Sequence, residues 1–144
     1  MKEIYGFTGD HRYLSNFWMC DVMMRDGITY PSAEHAYQAM KTFSRPERHR
    51  IASCVTPAMA KRRGQSLELR LDWEEVKLGI MSQVVLRKFK QNESLRALLL
   101  STGDARLVEA NSWHDTFWGV DASTGEGQNF MGIILILTRS ILCG

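Results

Sequence analysis

A chain of 144 residues has the length of one compact domain, long enough to bury roughly two-thirds of the surface of its unfolded chain. Its 44% hydrophobic and 24% charged composition is average for globular proteins and excludes intrinsic disorder. The formal net charge of +2 would not hold nucleic acid non-specifically, so such contact would need a local basic patch.

The first thirty residues are predicted to be extended. Residues 18–25 and 28–30 flank Asp26 and Gly27, a dipeptide that favours a tight hairpin turn because both positions tolerate positive φ. We therefore expect a small antiparallel sheet, built largely from the N-terminal third of the chain.

Helix signals begin at Pro31, whose fixed φ suits a first turn. Residues 32–43 follow without a breaker and are predicted to form a helix. Ser44 and Glu47 have the spacing of a capping box, which predicts a short helix running towards Cys54.

A third helix is predicted to start at Thr56 and to end at Gly64, because glycine is a common helix stop. Asp72 forms a second capping box with Glu75. It leads a long amphipathic segment in which apolar residues repeat at helical spacing over residues 73–84.

The C-terminal third is less regular. Asn92 is predicted to cap one more helix, which Gly103 ends, and residues 104–130 contain one expected short strand at 106–109. Residues 130–143 combine the branched side chains of a strand with the length of a helix, and we interpret them as a helix. These elements predict an α+β fold, a predominantly helical single domain over residues 1–144 with a small N-terminal antiparallel sheet.

The first predicted helix carries the most informative pattern. A carboxylate, an amide and an amine fall at i, i+4 and i+7, in Glu34, Gln38 and Lys41, beside a stripe of small and apolar residues. The wall of a cleft would place polar groups in this way. An exposed row on an amphipathic helix has the same spacing, so the pattern alone leaves both interpretations open.

Two further segments combine aromatic and polar residues: 12–18 and 115–119, the latter followed by a glycine-rich stretch at 123–129. Aromatic faces beside Asn, Arg and Asp suit a nucleobase or a ribose, whereas core tryptophans next to a solvent loop would give the same composition. The glycine-rich stretch matches neither the Walker pattern nor GxGxxG.

Several other kinds of site are not expected. The four histidines form no HExxH pair and no Cys/His set has zinc-finger spacing, so we expect no metal site. No GxSxG elbow is present, which argues against a serine hydrolase of the α/β type. We interpret the basic residues 61–63 as complementing the negative end of a helix rather than binding phosphate.

The compartment is predicted from the cysteines and the apolar runs. Three cysteines without a CxxC pair indicate a reduced, cytoplasmic setting, and residues 1–6 lack the apolar region of a signal peptide. The longest apolar run, residues 133–137, is far shorter than the ~20 residues of a spanning helix, so no membrane partner is expected.

Many short segments occur together in one order along nearly the whole chain: LSNF (14–17), YPSAEHAYQAMK (30–41), TPAMA (56–60), DW (72–73), KF (88–89), QN (91–92), TGDA (102–105), LVE (107–109), DTFWG (115–119) and GQN (127–129). This set resembles the NADAR family, also called YbiA-like. The most specific parts are the E-H-x-x-Q-x-x-K helix and the D-x-x-W-G motif.

The resemblance implies an α+β fold and cleavage of a ribose–nitrogen bond without a cofactor. It implies one of two substrate classes. One is a ribosylamine phosphate, an early riboflavin-pathway intermediate from which ribose 5-phosphate is released. The other is ADP-ribose on guanine of a nucleotide or DNA, where the enzyme reverses the modification made by an ADP-ribosyltransferase partner.

The same resemblance implies the site residues. Glu34, Lys41 and Asp115 match the catalytic positions. The candidate substrate-binding residues are Arg12, Asn16, Phe17, His35, Gln38, Trp118, Gly119 and Asn129. One departure is Gln65, where relatives are expected to carry an arginine, and this leaves the choice of substrate open.

Chemistry leaves several roles open. Glu34 and Asp115 fit the paired carboxylates of a glycosidase, but the pattern does not assign acid and base. Lys41 suits either attack on C1′ through an imine, which needs a depressed pKa, or binding of phosphate as an ammonium. The alternative to an N-glycosidase is a non-catalytic sensor that binds ADP-ribose or a nucleotide in the same pocket.

Overall fold

The computed structural model describes residues 2–144, which form two compact units. The central unit is Asn16–Asn92, and the terminal unit joins the described residues up to Ser15 with Glu93–Gly144. The expected mixture of helices with small sheets is confirmed. None of the helices within residues 2–144 combines the length and the apolar character needed to cross a membrane.

In chain order the elements are β1 (Glu3–Tyr5), a 3₁₀ helix (Gly9–Leu14), β2 (Met19–Met23), β3 (Thr29–Ser32), α1 (Ala33–Ala39), α2 (Arg45–Ala52), α3 (Pro57–Gln65), α4 (Trp73–Gln91), α5 (Glu93–Ser101), β4 (Arg106–Val108), β5 (Ala110–Asn111), β6 (Val120–Asp121) and α6 (Phe130–Cys143).

The predicted hairpin is confirmed in the central unit. Strands β2 and β3 pair antiparallel, and Gly27 in the turn has a φ of +80°. The Asp26 carboxylate holds the turn: Oδ1 accepts from the Ile28 N–H at 2.9 Å and Oδ2 from the Tyr30 hydroxyl at 2.7 Å. The turn thus has the glycine and the side-chain acceptor that its backbone requires.

Helices α2 and α3 begin where their signals predict. Helix α1 begins only after Ser32, so the prediction that Pro31 lies in its first turn is wrong: Pro31 belongs to strand β3. The side-chain oxygens of Ser32, Ser44 and Thr56 each accept a hydrogen bond from a backbone N–H three residues further on. Proline stands in the first turn of α2 and of α3, where its missing N–H costs nothing. Helix α1 packs against α2, α3 and α4 and is buried along its whole length.

Two side chains that were predicted to cap helices, those of Asp72 and Asn92, bond other groups instead. The Asp72 carboxylate gives α4 no capping bond and instead pairs with Arg70, with Nε to Oδ1 at 2.6 Å. Asn92 reaches back rather than forward, because its Nδ2 donates to the carbonyls of Lys88 and Asp21. An arginine side chain in one case and two backbone carbonyls in the other therefore replace the predicted capping partners, which sequence spacing does not reveal.

Helix α1 is shorter than predicted, ending at Ala39 with Met40 as its C-terminal cap. Lys41 lies in the turn that follows, and its carbonyl oxygen accepts from the Arg70 N–H at 2.8 Å. This contact with a distant segment replaces the intrahelical bond that would have continued the helix.

The terminal unit contains two parallel strand pairs, β1 with β4 and β5 with β6. The predicted N-terminal antiparallel sheet is the β2–β3 pair, and these two parallel pairings, which use strands of the C-terminal third, were not predicted. The 3₁₀ helix likewise lies in a segment predicted to be extended. Helix α6 is confirmed with its predicted bounds, and it packs on β4 and against α5.

Candidate functional site

The candidate residues fall in both units. The central unit carries Asn16, Phe17, Glu34, His35, Gln38 and Lys41, and the terminal unit carries Arg12, Asp115, Trp118, Gly119 and Asn129. Each group has its own local geometry.

Glu34 is a buried carboxyl group in the first turn of α1, with 8% of its surface exposed. Its backbone N–H donates to the Asn16 carbonyl at 3.0 Å, and its Oε2 accepts from Gln38 Nε2 at 2.6 Å. Burial raises the pKa of Glu34, and the Gln38 hydrogen bond and the charges of Lys61 and Lys41 act against that shift. The group is poised to carry a proton at a higher pH than an ordinary glutamate.

Lys41 is half-buried beside two aromatic rings. Its Nζ lies 5.7 Å from the centroid of the Tyr37 ring and 5.9 Å from that of Trp73. Burial lowers the pKa of Lys41, Glu34 opposes this, and the charges of Lys61 and Lys77 add to the lowering. Desolvation therefore favours the neutral amine, the form that acts as a nucleophile.

Lys61 is a residue that the sequence interpretation assigned differently. It is exposed on α3, and its charge acts on both Glu34 and Lys41. The packing of α3 on α1 brings it there. No local spacing signals this, because Lys61 is far from both partners along the chain.

Two other candidates on α1 have partners within the protein. His35 is fully buried: Nδ1 lies 2.6 Å from Ser32 Oγ and Nε2 lies 2.9 Å from the Cys54 carbonyl. Burial lowers the pKa of this imidazole, which favours its neutral form. Gln38 is 3% exposed and donates to Glu34, as described above.

Asn16 and Phe17 form the edge of the central group. Asn16 is buried, and its Nδ2 lies 3.4 Å from the sulfur of Met81. Its Oδ1 accepts no hydrogen bond from any residue within 2–144. Phe17 is 43% exposed, so it presents an aromatic face to solvent.

Asp115 is held by backbone donors in the terminal unit. Its Oδ1 accepts from the N–H groups of Phe117 at 3.1 Å and Trp118 at 3.0 Å. The side chain of Asn111 bonds the Asp115 peptide on both sides. The half-exposed carboxylate therefore has a fixed orientation.

The aromatic residues after Asp115 pack together. The Phe117 ring meets Trp118 edge-on with centroids 4.8 Å apart, and its centroid lies 4.9 Å from that of Phe130. Position 119 has room only for a glycine, because an added Cβ would lie 2.1 Å from the Glu109 carbonyl oxygen.

Asn129 and Arg12 complete the terminal group. Asn129 has a φ of +53°; its Oδ1 accepts from the Glu109 N–H at 2.9 Å and its Nδ2 donates to the Leu107 carbonyl at 3.0 Å. Both ends of its amide thus tie β4 to the start of α6. Arg12 is exposed on the 3₁₀ helix.

A surface cleft of about 890 Å³ follows the end of α1. Its walls include Thr42, Phe43 and Ser44 and residues 66–72, and none of the candidate residues lines it. Among residues 2–144, no group of three or more His, Cys, Asp or Glu side chains is arranged to hold a metal ion.

Comparison with known proteins identifies relatives along nearly the whole chain. The model of the NADAR domain family matches residues 5–143. The chain is 38% identical to "N-glycosidase YbiA" of Escherichia coli, over 97% of this chain and 87% of that protein. It is 36% identical to "Riboflavin biosynthesis protein VVA0006" of Vibrio vulnificus, over 98% of this chain and 39% of that protein.

The fold is also that of a solved relative. The NMR structure of the Escherichia coli protein YbiA matches with a TM-score of 0.84 and 36% identity, over 99% of this chain and 87% of that chain.

Proposed function

The chain belongs to the NADAR domain family, and from that membership we propose that it is an N-glycosidase that hydrolyses a ribose–nitrogen bond. Its substrate is an early riboflavin-pathway ribosylamine phosphate, and ribose 5-phosphate is the product. Relatives named N-glycosidase and riboflavin biosynthesis protein support this choice.

The observation that carries the proposal is the environment of Glu34. Cleavage of a C–N bond leaves negative charge on the departing nitrogen, which must be protonated as it leaves. A carboxyl group whose pKa burial raises retains its proton closer to neutral pH, which suits this role. We therefore assign Glu34 as the proton donor.

Asp115 supplies the second carboxylate in this proposal. Its assignment to the same reaction rests on the D-x-x-W-G motif of the family alone. Within its own unit, the carboxylate is held by the N–H groups of Phe117 and Trp118. A carboxylate at C1′ stabilises the developing positive charge on the sugar or activates water.

Lys41 supplies a nucleophilic route. The neutral amine attacks C1′, the bond from C1′ to the base nitrogen breaks, and Glu34 gives its proton to that nitrogen. One proton of the substituted amine then passes to the ring oxygen as the ribose opens to a protonated imine. Water hydrolyses this imine to free ribose 5-phosphate and a lysine ammonium, whose extra proton returns to the Glu34 carboxylate. The lowered pKa of Lys41 supports this route over a purely electrostatic role.

The test compares two substrates. Purified protein is incubated with the first ribosylamine phosphate of the riboflavin pathway and, separately, with DNA that carries ADP-ribose on guanine, and the products are identified by mass spectrometry. We expect ribose 5-phosphate from the first.

Two other outcomes would contradict the proposal. Release of ADP-ribose from DNA alone would assign the protein to ADP-ribosylation reversal and predict an ADP-ribosyltransferase partner. Stable binding without either product would favour a sensor.

A further inference from the structure

The amide of Gln38 occupies the space between Glu34 and α3. Nε2 donates to Glu34 Oε2 at 2.6 Å, while Oε1 accepts no hydrogen bond from any of the described residues, 2–144. A buried carbonyl oxygen without a donor destabilises the fold, because it has lost its water. We therefore ask what the Nε2 end of the amide, which bonds Glu34, contributes in return.

Gly64 makes this arrangement sterically feasible. A methyl group on Gly64 would lie 1.9 Å from Gln38 Oε1 and 2.7 Å from its Cδ. Gly64 lies inside α3 and is not among the residues with positive φ, so backbone conformation does not require a glycine here. The sequence prediction that Gly64 ends the helix therefore misreads its role: α3 continues to Gln65, and the glycine makes room for an amide.

The position of the Gln38 amide thus comes with two features that destabilise the fold. One is a glycine, Gly64, inside helix α3, and the other is the Gln38 side-chain carbonyl without a donor. Within residues 2–144, the Gln38 amide makes one hydrogen bond, and its acceptor is the carboxyl group assigned above as proton donor. We propose that Gln38 is a positioning residue that orients the Glu34 carboxyl group for proton transfer, and that Gly64 keeps the space its amide occupies. This inference deepens the proposed function and rests on it for the role of Glu34.

The test uses two variants that remove the same hydrogen bond in different ways. Gln38→Met removes the donor at similar length, and Gly64→Ala displaces the amide without altering it. Gly79→Ala is the matched control, since Gly79 lies on α4 with nothing within 4 Å of an added Cβ. All three keep Lys61 and Lys41, the charges that act on Glu34.

Two readouts are measured. The first is the pKa of Glu34, by NMR titration of ¹³C-labelled glutamate carboxyl carbons, with Glu34→Gln to identify the signal. The second is the pH profile of kcat/KM on the ribosylamine phosphate. Circular dichroism establishes that each variant is folded.

We expect both variants to raise the pKa of Glu34 above that of the wild type, because the lost hydrogen bond stabilises the ionised form. The basic limb of the pH profile should move to higher pH by the same amount. The value of kcat should fall by about 10- to 100-fold with KM nearly unchanged. Gly79→Ala should match the wild type in both readouts.

A double variant tests whether Gly64 acts through Gln38. Gly64→Ala combined with Gln38→Met should shift the pKa of Glu34 no further than either change alone. Additive shifts would overturn the role assigned to Gly64.

A wild-type pKa in folded Gln38→Met would overturn the role of Gln38, and this variant decides the matter if Gly64→Ala does not fold. A wild-type protein that cleaves no ribosylamine phosphate would overturn the proposed function instead, while the NMR titration still decides whether Gln38 controls Glu34.

Discussion

The side chain of Asn111 closes a ring with the peptide of Asp115. Nδ2 donates to the Asp115 carbonyl at 2.8 Å, and Oδ1 accepts from the Asp115 N–H at 3.0 Å. Asn111 is buried, with 3% of its surface exposed, and sits on the two-residue strand β5. A short strand thus uses one side chain to fix the loop that carries a candidate catalytic carboxylate.

Replacing Asn111 by Leu should lower both stability and activity. The two hydrogen bonds are lost, and the N–H and carbonyl groups of Asp115 lose their partners. The free energy of unfolding should therefore fall by about 1–3 kcal/mol. The carboxylate loses its fixed position, and kcat should fall more than KM rises. Denaturant unfolding and steady-state kinetics measure these effects. Exposed Ser112→Ala is the control, and equal activity in the two variants would contradict the role of Asn111.

Glu34→Gln should abolish most activity and yet stabilise the fold. Removal of a general acid typically costs about 10²–10⁴-fold in rate. Burial raises the pKa of Glu34, so the folded state binds this proton more tightly than the unfolded state does. The unfolding free energy of the wild type therefore falls as the pH rises above about 4.3, the ordinary glutamate value, and the variant lacks this fall.

Thermal unfolding of both proteins between about pH 4 and pH 8 measures this difference. The variant should gain in relative stability as the pH rises. Identical pH dependence of the two melting temperatures would show that Glu34 carries no raised pKa.

Lys41 should form a covalent adduct with the sugar. Borohydride added during turnover reduces an imine to a stable amine, so mass spectrometry of peptides should find the ribosyl group on Lys41. Lys77, which lies near enough to act on the pKa of Lys41, is the internal control and should remain unmodified. Full turnover without any adduct would refute the imine route and leave Lys41 as a binding group.

Lys88 should make stability rise with pH. Burial lowers its pKa to about 8, and its side chain is fully buried on α4. Between about pH 8 and pH 10.4 the unfolded chain holds a proton that the folded state has released, so the unfolding free energy increases, by about 3 kcal/mol in all. Urea unfolding at several pH values should show this rise.

Lys88→Met should remove the rise, while Lys90→Met, at an exposed position on the same helix, should keep it. A rise of equal size in Lys88→Met would assign it to another group.

Local signals predicted the elements whose ends depend on local chemistry. Ser44 and Thr56 cap their helices where the sequence indicated, because the acceptor and its donor lie three residues apart. Helix α6 was predicted with its bounds from its length, although its branched side chains also suited a strand. Strands β5 and β6 have two residues each, too few for a period to be visible.

Tertiary contacts determine what the sequence could not predict. Lys41 leaves the helix because its carbonyl binds the Arg70 N–H, a partner in a different segment. Gly64 looked like a helix stop, and only the position of the Gln38 amide shows why a glycine stands there. The row of Glu34, Gln38 and Lys41 was found from its spacing, but the spacing did not show its burial. Burial raises the pKa of Glu34 and lowers that of Lys41.

The measurement that tests the central claim most directly is release of ribose 5-phosphate from the ribosylamine phosphate, followed by mass spectrometry for the wild type, Glu34→Gln and Glu75→Gln. Glu75 is an exposed carboxylate in the first turn of α4 and serves as the matched control. The account predicts product from the wild type and Glu75→Gln and a loss of about 10²-fold or more in Glu34→Gln. Equal product formation by Glu34→Gln and the wild type would contradict it.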